Sequence, residues 1–475
     1  MFTSSRFFYF SIIAIAILEI FLFSWLNINL FTSPNDGILY YSIALNMIEN
    51  FSLNSLMFKE NFIYTPQIGI SFLLVPLIIL FGDSWYIFFI ILISYFWLYS
   101  LKDLSKSLEL TIFKKSHFFK NKEIIFMFLL VICISSIMLV RISTSFYNES
   151  FSIPLQILLT SKFLIFISEK NKKNSTLLFL LFLSFLGILF RLQFLVIYLA
   201  LFITLFFHKQ LKINLLLLTM IPILAYSFLF YLLESNFHVN SSASEIKNIF
   251  SVINTKIFYS LNSFGIFFNL YFLGLAHELL ILLILPLIFL FILGFNILRK
   301  KDKVIFSFFL LTLIGNISFV FLFIPVSFFD DPIRYYWHQL IPLAILFMIF
   351  LDHYSILVEK VFKRVATLFL FFLFFLGLFF HQDIFNKLEK SVLSNNLKNI
   401  EKLYEKWNLS NKLIYSDDLR REFFWIADEG TKSINAISDK NCNTSSSQYI
   451  LTKDEFKKYK EIDRIQNVRL YSICY

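Results

Sequence analysis

The sequence is short of the residues that soluble folds are built from, above all charged ones. Charged residues make up 16% of the chain and hydrophobic residues 58%, whereas soluble domains average about 25% charged and about 45–50% apolar residues. The 475 residues include 10 glycines and 9 prolines, too few for a collagen-like or flexible array. Three cysteines cannot build a disulfide-rich scaffold or a four-cysteine zinc ribbon. These shortages exclude soluble, fibrous and zinc-ribbon proteins.

Sequence motifs of nucleotide-binding proteins, of serine hydrolases and of one transporter class are also missing. The chain has no P-loop, no glycine pattern for a dinucleotide and no GxSxG nucleophile elbow. It also has no paired, glycine-broken apolar segments of the kind found in transporters with inverted repeats. The sequence therefore gives no support to a nucleotide-driven enzyme or to a transporter of that design.

Long apolar runs make up most of what is present. Charge-poor runs of about 16 to 25 residues, the length that crosses roughly 30 Å of hydrocarbon, recur along the chain. Examples are Ile13–Leu26, Ile124–Val140, Val304–Pro325 and Leu368–Phe380. The first run has no small-residue cleavage site at its end, so we expect an uncleaved signal anchor. The sequence predicts an all-α polytopic membrane protein.

The net charge of +10 is distributed as topology signals are, which argues against nucleic-acid binding. Lys and Arg near the ends of spans tend to stay in the cytoplasm. Nineteen of them lie at Arg6 and in segments 102–122, 170–173, 209–212, 299–303 and 360–364. The alternate connections, 27–84, 141–150, the tip near Arg191, 234–270 and 326–338, hold six. This bias predicts about eleven spans in the inner (cytoplasmic) membrane, a cytoplasmic N-terminus and a first outer loop at 27–84.

Two apolar segments decide that count. Ser175–Phe207 has 33 residues, too many for one span and few for two. A single span would reverse the side of every later loop, so we predict a helical hairpin with Arg191 at its outer tip. Gln67–Phe81 is apolar enough to cross, but counting it would also break the alternation. We predict that it is a helix lying in or dipping into the outer leaflet.

The composition turns polar after Phe380. We therefore predict a transmembrane domain at 1–381 and a small soluble α/β domain at 382–475. Its predicted elements are a helix at Ile384–Trp407 and strands at Lys412–Tyr415, Gln448–Leu451 and Val468–Ile473. An odd number of spans places this domain outside the cytoplasm. In that oxidising compartment Cys442 and Cys474 either form a disulfide or stay unpaired.

The first outer loop carries the most informative residues. Pro34 and Gly37 mark a turn, and Asp36 between them begins a helix rich in aromatic residues. A carboxylate in that position either caps the helix or does chemistry. Further on, the segment NFIYTPQIG contains Tyr64 and leads into the apolar helix that ends at Phe81.

Three more charged residues are candidates. Glu149, in TSFYNES, lies between the third and fourth spans and is either a solvated carboxylate, a partner of Arg141 or a site residue. Arg191, in GILFRLQFLV, lies near membrane depth, where a charge costs about 2.5–3.5 kcal/mol. It either reaches the outer headgroups or faces a water-filled cavity with a partner. Arg334, in FFDDPIRYYWH, either pairs with a neighbouring aspartate in an aromatic belt or binds an anion.

This ordered pattern resembles the GT-C superfamily of membrane glycosyltransferases. The likeness is to its family 39-like branch, which includes protein O-mannosyltransferases and aminoarabinose transferases. It rests on Asp36 after the first span, on the surface helices that follow, and on the YTPQIG approach to the next apolar segment. It extends over about residues 1–350 as a series of short motifs. Asn35 stands where many members have the first acid of a pair.

The resemblance implies an inverting glycosyltransferase at the outer face of the membrane. Its donor would be a polyprenyl-phosphate sugar and its acceptor a hydroxyl of a lipid, glycan or protein. Asp36 would be the general base, and Glu149 would orient the acceptor or help hold a divalent cation. Arg191 and Arg334 would bind the donor phosphate. The expected substrate cavity is lined by Tyr40, Tyr64, Tyr335, Trp337 and His338.

Two features of that implied function remain open at the level of sequence. No metal-ligand spacing occurs, so no cofactor is predicted and a divalent cation stays an open alternative. The missing nucleotide site agrees with a sugar that arrives on a lipid. A transporter or flippase of a lipid-linked intermediate, or a catalytically inactive scaffold of the same fold, are the competing hypotheses.

Overall fold

The structure is a computed structural model that describes the chain in sections. They are residues 35–51, 68–116, 118–119, 121–135, 148–169, 174–209, 220–234, 256–257, 260–261, 264, 277–323, 332–355, 392–410, 412–416, 434–435, 448–456 and 459–472. Within them the chain is mostly helical, and a small sheet lies near its C-terminus.

The helices follow one another along the apolar part of the chain. They are α1 (Asn35–Asn50), α2 (Gly69–Phe81), α3 (Trp85–Leu110), α4 (Lys122–Ser135), α5 (Glu149–Ser168), α6 (Asn174–Phe190), α7 (Phe194–Phe207), α8 (Ile221–Glu234), α9 (His277–Lys301), α10 (Lys303–Phe323) and α11 (Leu340–Ser355). A 3₁₀ helix at Pro332–Gln339 leads directly into α11.

Four helical segments of the described residues are long and apolar enough to cross a bilayer. They are Trp85–Leu110, Glu149–Ser168, Lys303–Leu322 and Tyr335–Tyr354. Shorter apolar helices occupy Gly69–Phe81, Asn174–Phe190 and Phe194–Phe207. These helices confirm the prediction of a helical membrane protein. The count of eleven spans includes runs outside the described residues and stays a prediction.

The predicted hairpin is present. Helices α6 and α7 are separated only by Arg191–Gln193, so the arginine lies in the turn. The N–H of Arg191 donates to the carbonyl of Gly187 at 2.8 Å, and the N–H of Phe194 donates to the carbonyl of Arg191 at 2.9 Å. A Cβ atom on Gly187 would overlap the ring of Phe194, so the absence of a side chain lets the two helices approach closely.

Polar contacts between helices join residues that the charge bias assigns to the same side of the membrane. The Lys162 ammonium group of α5 lies 2.9 Å from Oδ1 of Asp103 in α3. Nε2 of His208, directly after α7, lies 2.9 Å from Oγ of Ser307 in α10. Both contacts lie at predicted cytoplasmic ends, in agreement with alternating helix directions. Lys162 is thus held by an acid within the bundle.

The C-terminal segment contains helix α12 (Val392–Lys406) and a five-stranded mixed sheet. Its strands are β1 (Leu413–Tyr415), β2 (Ile434–Asn435), β3 (Gln448–Thr452), β4 (Lys460–Ile465) and β5 (Val468–Ser472), in the order β2-β1-β3-β5-β4. Strand β1 runs parallel to β2 and β3, and β5 runs antiparallel to β3 and β4. One core cluster joins α12 to the sheet through Ile400, Leu403, Ile414, Leu451, Val468 and Leu470.

The α/β class and all three predicted strands of this segment are confirmed. The predicted helix is confirmed over Val392–Lys406. The domain boundary at residues 381 and 382 stays a prediction. Cys442 and Cys474 lie outside the described residues, so the predicted disulfide does too.

Candidate functional site

A buried ion pair joins two of the predicted site residues. Nη1 of Arg191 contacts Oε1 of Glu149, and the side chains of the two residues are 5% and 2% exposed. Glu149 is the first residue of α5, and Arg191 occupies the α6–α7 turn. The carboxylate is therefore not solvated, and the guanidinium does not reach out to the headgroups. Charges within membrane segments usually pair in this way, and such pairs mark functional sites.

Arg191 is held from two further directions. Its Nε donates to Oε1 of Gln193 at 3.1 Å, and its guanidinium carbon lies 5.2 Å from the centre of the Tyr335 ring. A cation over an aromatic face is stabilised by the negative face of the ring. These contacts fix the direction of the guanidinium before any ligand arrives.

Gln193 links this arginine to α10 and to the 3₁₀ helix that precedes α11. Its Nε2 donates to the backbone carbonyl of Tyr335 at 2.5 Å and also to Oδ1 of Asn316 in α10. The amide thus ties the hairpin turn both to α10 and to the 3₁₀ helix before α11. Four separate parts of the chain meet at Arg191, at the end of the bundle that the charge bias places outside.

The first two helices lie against the same region. The N–H of Ile70 in α2 donates to Oδ1 of Asn148 at 3.1 Å, and Asn148 directly precedes Glu149. The hydroxyl of Ser71 donates to the backbone carbonyl of Tyr40 in α1 at 2.9 Å. Helix α1 is therefore connected to the start of α5 through α2.

A glycine allows this approach. A Cβ atom on Gly69, the first residue of α2, would lie 2.8 Å from the Cα atom of Phe190. That carbon belongs to the residue just before Arg191, so a larger side chain at position 69 would push α2 away from the hairpin turn. The glycine of the YTPQIG segment thus permits close packing of α2 against the hairpin turn, a role that the sequence alone did not reveal.

Asp36 lies in the first turn of α1, one turn before Tyr40. The prediction that it begins a helix is confirmed by the backbone, while its side chain lies outside the described part of the residue. The same holds for Arg334, in the first turn of the 3₁₀ helix. Tyr64 and Arg141 lie outside the described residues. The roles assigned to Asp36 and Arg334 stay predictions.

The remaining predicted cavity residues are buried. Tyr40 is 3% exposed, Trp337 is fully buried and His338 is 1% exposed. Gln156 of α5 and His338 bind each other twice: the amide Nε2 donates to the histidine backbone carbonyl at 2.7 Å, and Oε1 lies 2.7 Å from Nδ1 of the ring. Tyr335 is partly buried against Arg191.

Sequence reasoning missed three amide side chains of this site: Gln156, Gln193 and Asn316. All three are buried in apolar helices or their turns. A polar amide within an apolar run is the signal that would have identified them, because an amide in hydrocarbon requires a partner. Together they hold the charged and aromatic residues in position.

Among the described residues, no three His, Cys, Asp or Glu side chains come together as metal ligands. The carboxylate of Glu149 is engaged by Arg191. A divalent cation beside Glu149 stays a prediction made from the resemblance.

Comparison with solved structures gives a distant likeness. The crystal structure of the Archaeoglobus fulgidus oligosaccharyltransferase complex with zinc and sulfate is similar with a TM-score of 0.43 and 14% identity, over 90% of this chain. The match spans 62% of that longer chain, less than two thirds of its length. No family model matches the sequence, and no curated protein is significantly similar to it. The function is therefore inferred from the residues.

Proposed function

We propose that this protein is a GT-C-type glycosyltransferase of the cytoplasmic membrane. It would move a sugar from a polyprenyl-phosphate donor to an acceptor hydroxyl at the outer face. The observation that carries this proposal is the buried pair of Glu149 and Arg191, covered by Tyr335 and linked through α2 to the helix that starts beside Asp36. The guanidinium of this pair is the candidate anion site, and Asp36 is the candidate base.

The proposed reaction is a single displacement. Asp36 takes the proton from the acceptor hydroxyl as its oxygen attacks the anomeric carbon. The bond from that carbon to the phosphate oxygen breaks, and the polyprenyl phosphate leaves with the electron pair. Attack from the opposite face inverts the configuration. A phosphate is a weak base, so its departure does not require a strong general acid.

Arg191 has the chemistry to stabilise the leaving phosphate. A guanidinium is always charged and binds phosphate oxygens in a bidentate manner, and a prearranged donor needs no reorganisation as negative charge grows. Glu149, Gln193 and Tyr335 supply that prearrangement. A guanidinium has five N–H donors, so a phosphate either shares Arg191 with Glu149 or takes its place. Arg334 is the candidate second ligand.

Glu149 then acts mainly on Arg191. Its carboxylate balances the buried positive charge in the absence of donor and fixes one edge of the guanidinium. The structure thus favours a positioning role over the acceptor-orienting role that the resemblance implies.

Replacing Asp36 with Asn tests the enzyme directly. In a deletion strain, mass spectrometry of envelope lipids and glycans is expected to reveal a missing sugar. The wild-type gene should restore this sugar and the Asp36→Asn gene should not, because an amide cannot accept the proton. The control is Asp83→Asn, which removes another acid of the same outer loop and should restore the sugar fully.

Donor binding must survive in the Asp36→Asn protein if the aspartate is a base and not a structural residue. Restoration of the sugar by Asp36→Asn would contradict the proposal. That result would favour a transporter of a lipid-linked intermediate, which needs no catalytic carboxylate in this loop.

A further inference from the structure

His338 lies on the side of the 3₁₀ helix that faces Arg191. A 3₁₀ helix has three residues per turn, so residues three apart lie above one another. His338 therefore lies one turn after Tyr335 on the same side of this helix, and the Tyr335 ring covers the guanidinium of Arg191. Its imidazole also packs edge-on against Phe194, with the ring centres 6.1 Å apart. Phe194 begins α7 directly after the turn that holds Arg191.

The contacts with Gln156 determine which ring nitrogen carries the proton. A backbone carbonyl only accepts hydrogen bonds, so Nε2 of Gln156 must face the carbonyl of His338. The amide oxygen then faces Nδ1 of the ring at 2.7 Å. Because an amide oxygen also only accepts, Nδ1 must be the donor. In the neutral ring, Nε2 then carries a lone pair and is an acceptor.

That acceptor is buried and has no hydrogen-bond partner among the described residues. The residue is 1% exposed, and leaving such a group unsatisfied destabilises a protein. Nδ2 of Asn316, whose Oδ1 is bound by Gln193, and Nε1 of Trp337 are among the other buried polar atoms without a partner in the described part of the chain. A buried acceptor left over on the side of the 3₁₀ helix that carries Tyr335 indicates a ligand group that donates a hydrogen bond.

The chemistry of these atoms selects the ligand group. Phosphate oxygens at neutral pH mainly accept, and they would be repelled by the lone pair of Nε2. A metal cation would be repelled by the nearby guanidinium of Arg191. An alcohol fits, because its O–H donates one hydrogen bond and its oxygen accepts others. A sugar carries several such groups.

We propose that Nε2 of His338 accepts a hydrogen bond from a hydroxyl group of the donor sugar while Arg191 holds the phosphate. This inference rests on the proposed function and adds the residue that distinguishes a sugar-bearing lipid from the bare lipid phosphate. The double contact with Gln156 is what aims Nε2 and keeps it an acceptor. His338 would therefore be a specificity-determining residue of the donor site.

Two substitutions separate the two nitrogens of His338. In His338→Asn, the side-chain amide N–H replaces the Nδ1 donor to Gln156, but nothing replaces the acceptor at Nε2. In His338→Gln, the longer side chain brings an amide oxygen to the Nε2 position and gives up the Nδ1 donor. Arg191→Gln serves as the variant that loses the phosphate contact.

Binding is measured by calorimetry on the full-length protein in lipid nanodiscs. The probes are farnesyl phosphate and farnesyl-phosphate-linked glucose, mannose, galactose and arabinose. His338→Asn is expected to weaken binding of the preferred sugar-bearing lipid about tenfold or more, the equivalent of one strong hydrogen bond. Binding of farnesyl phosphate should not change. His338→Gln should keep most of the affinity, and Arg191→Gln should lose both ligands.

Each of the remaining outcomes would contradict either this inference or the proposed function. Equal losses of both ligands in His338→Asn would show a structural role, and no loss would show that Nε2 is satisfied without the sugar. A wild-type protein that binds farnesyl phosphate but no sugar-bearing probe would also overturn the inference. Failure of the wild type to bind any of these lipids would instead refute the proposed function.

Mono-deoxy analogues of the preferred donor then identify the hydroxyl. One analogue should bind the wild type as weakly as the parent donor binds His338→Asn. That analogue should lose nothing further in the variant, because both changes remove the same hydrogen bond.

Discussion

Burying the charge of Glu149 or of Arg191 alone would destabilise the helix bundle. Buried together as an ion pair, the two charges offset each other. A single charge removed from water loses its hydration, and only a close counter-charge with further hydrogen bonds offsets that loss. Glu149, Gln193 and the Tyr335 ring provide this compensation around one guanidinium. The free-energy cost of burying either charge therefore depends on the presence of the other.

Breaking the pair from one side should be worse than removing both charges. Glu149→Gln leaves Arg191 buried without its counter-charge, and Arg191→Gln does the same to Glu149. We expect each single variant to lose about 3–5 kcal/mol of stability. The double variant should lose less than the sum of the two. Thermal unfolding of the full chain in detergent micelles measures this, and strictly additive losses would contradict the pairing.

The sequence identified the members of the site better than their partners. Arg191 was recognisable because a charge at membrane depth is expensive, and Glu149 because of its place after an apolar run. Asp36 was selected on the same ground, and its role stays a prediction. The pairing was not recognisable, since no local period relates residues so far apart. Gln156 and His338, for example, are 182 residues apart. Tertiary packing alone brings them together.

The hairpin formed by α6 and α7 is the element on which the site depends. Gly187 lets the two helices approach, and the Phe194 ring that occupies the space also contacts His338. The packing of the hairpin and the position of His338 are therefore linked through one aromatic ring.

A methyl group at position 187 should disturb this link. Gly187→Ala places a Cβ atom against the Phe194 ring, and overpacking of this kind typically costs about 1–3 kcal/mol. We expect a lower unfolding temperature and weaker donor binding. Ser184→Ala is the matched control, because Ser184 lies one turn earlier in α6, is buried and donates to the carbonyl of Leu180 in its own helix. A Gly187→Ala protein as stable as Ser184→Ala would contradict the close packing.

Elements were predictable where their local pattern was strong. The hairpin followed from length and charge alternation, helix α2 from an apolar run, and three strands from apolar, β-branched segments. Strand β4 was missed because its sequence, KEIDRI, is mostly charged. It is an edge strand of the sheet, where charges protect against unwanted pairing and hide the strand pattern.

At the scale of the whole molecule, basic residues concentrate on one side of the predicted topology. We expect a membrane-impermeant thiol reagent to label Lys402→Cys in α12 on intact cells, but Lys300→Cys at the end of α9 only after permeabilisation. Both positions are exposed, so access depends on the side of the membrane. The background protein has Cys442 and Cys474 replaced by Ser, and the buried Cys133 serves as an internal negative control. The opposite labelling pattern would overturn the topology.

The C-terminal domain should lose stability in acid through Asp463. The Lys406 ammonium group and the Trp407 indole N–H, both bound to this carboxylate at 2.6 and 2.7 Å, hold its pKa below the usual value. A group whose folded pKa is lowered contributes stability above its unfolded pKa, about 3.9, and loses it as the pH falls through the folded value.

Hydrogen exchange of α12 and β4 in the full chain, corrected for the intrinsic rate, should therefore speed up as the pH drops below about 4. The effect should be modest, about 0.2–1 kcal/mol, because the lysine is largely exposed. Asp463→Asn should exchange faster at neutral pH and depend less on pH in this range. A pH response unchanged by the substitution would assign the acid sensitivity to other groups.

The position of Arg191 in the α6–α7 turn also has a consequence for how the chain enters the membrane during synthesis. The ribosome makes Glu149 before Arg191, so in the predicted topology the carboxylate is already at the outer side when the hairpin is inserted. Insertion of the hairpin moves the guanidinium of Arg191 across the hydrocarbon. In the predicted topology, the carboxylate of Glu149 is then available at the outer side to pair with it. We therefore expect insertion of the hairpin to depend on Glu149 in the preceding helix α5, so that Glu149→Gln lowers the yield of correctly inserted protein.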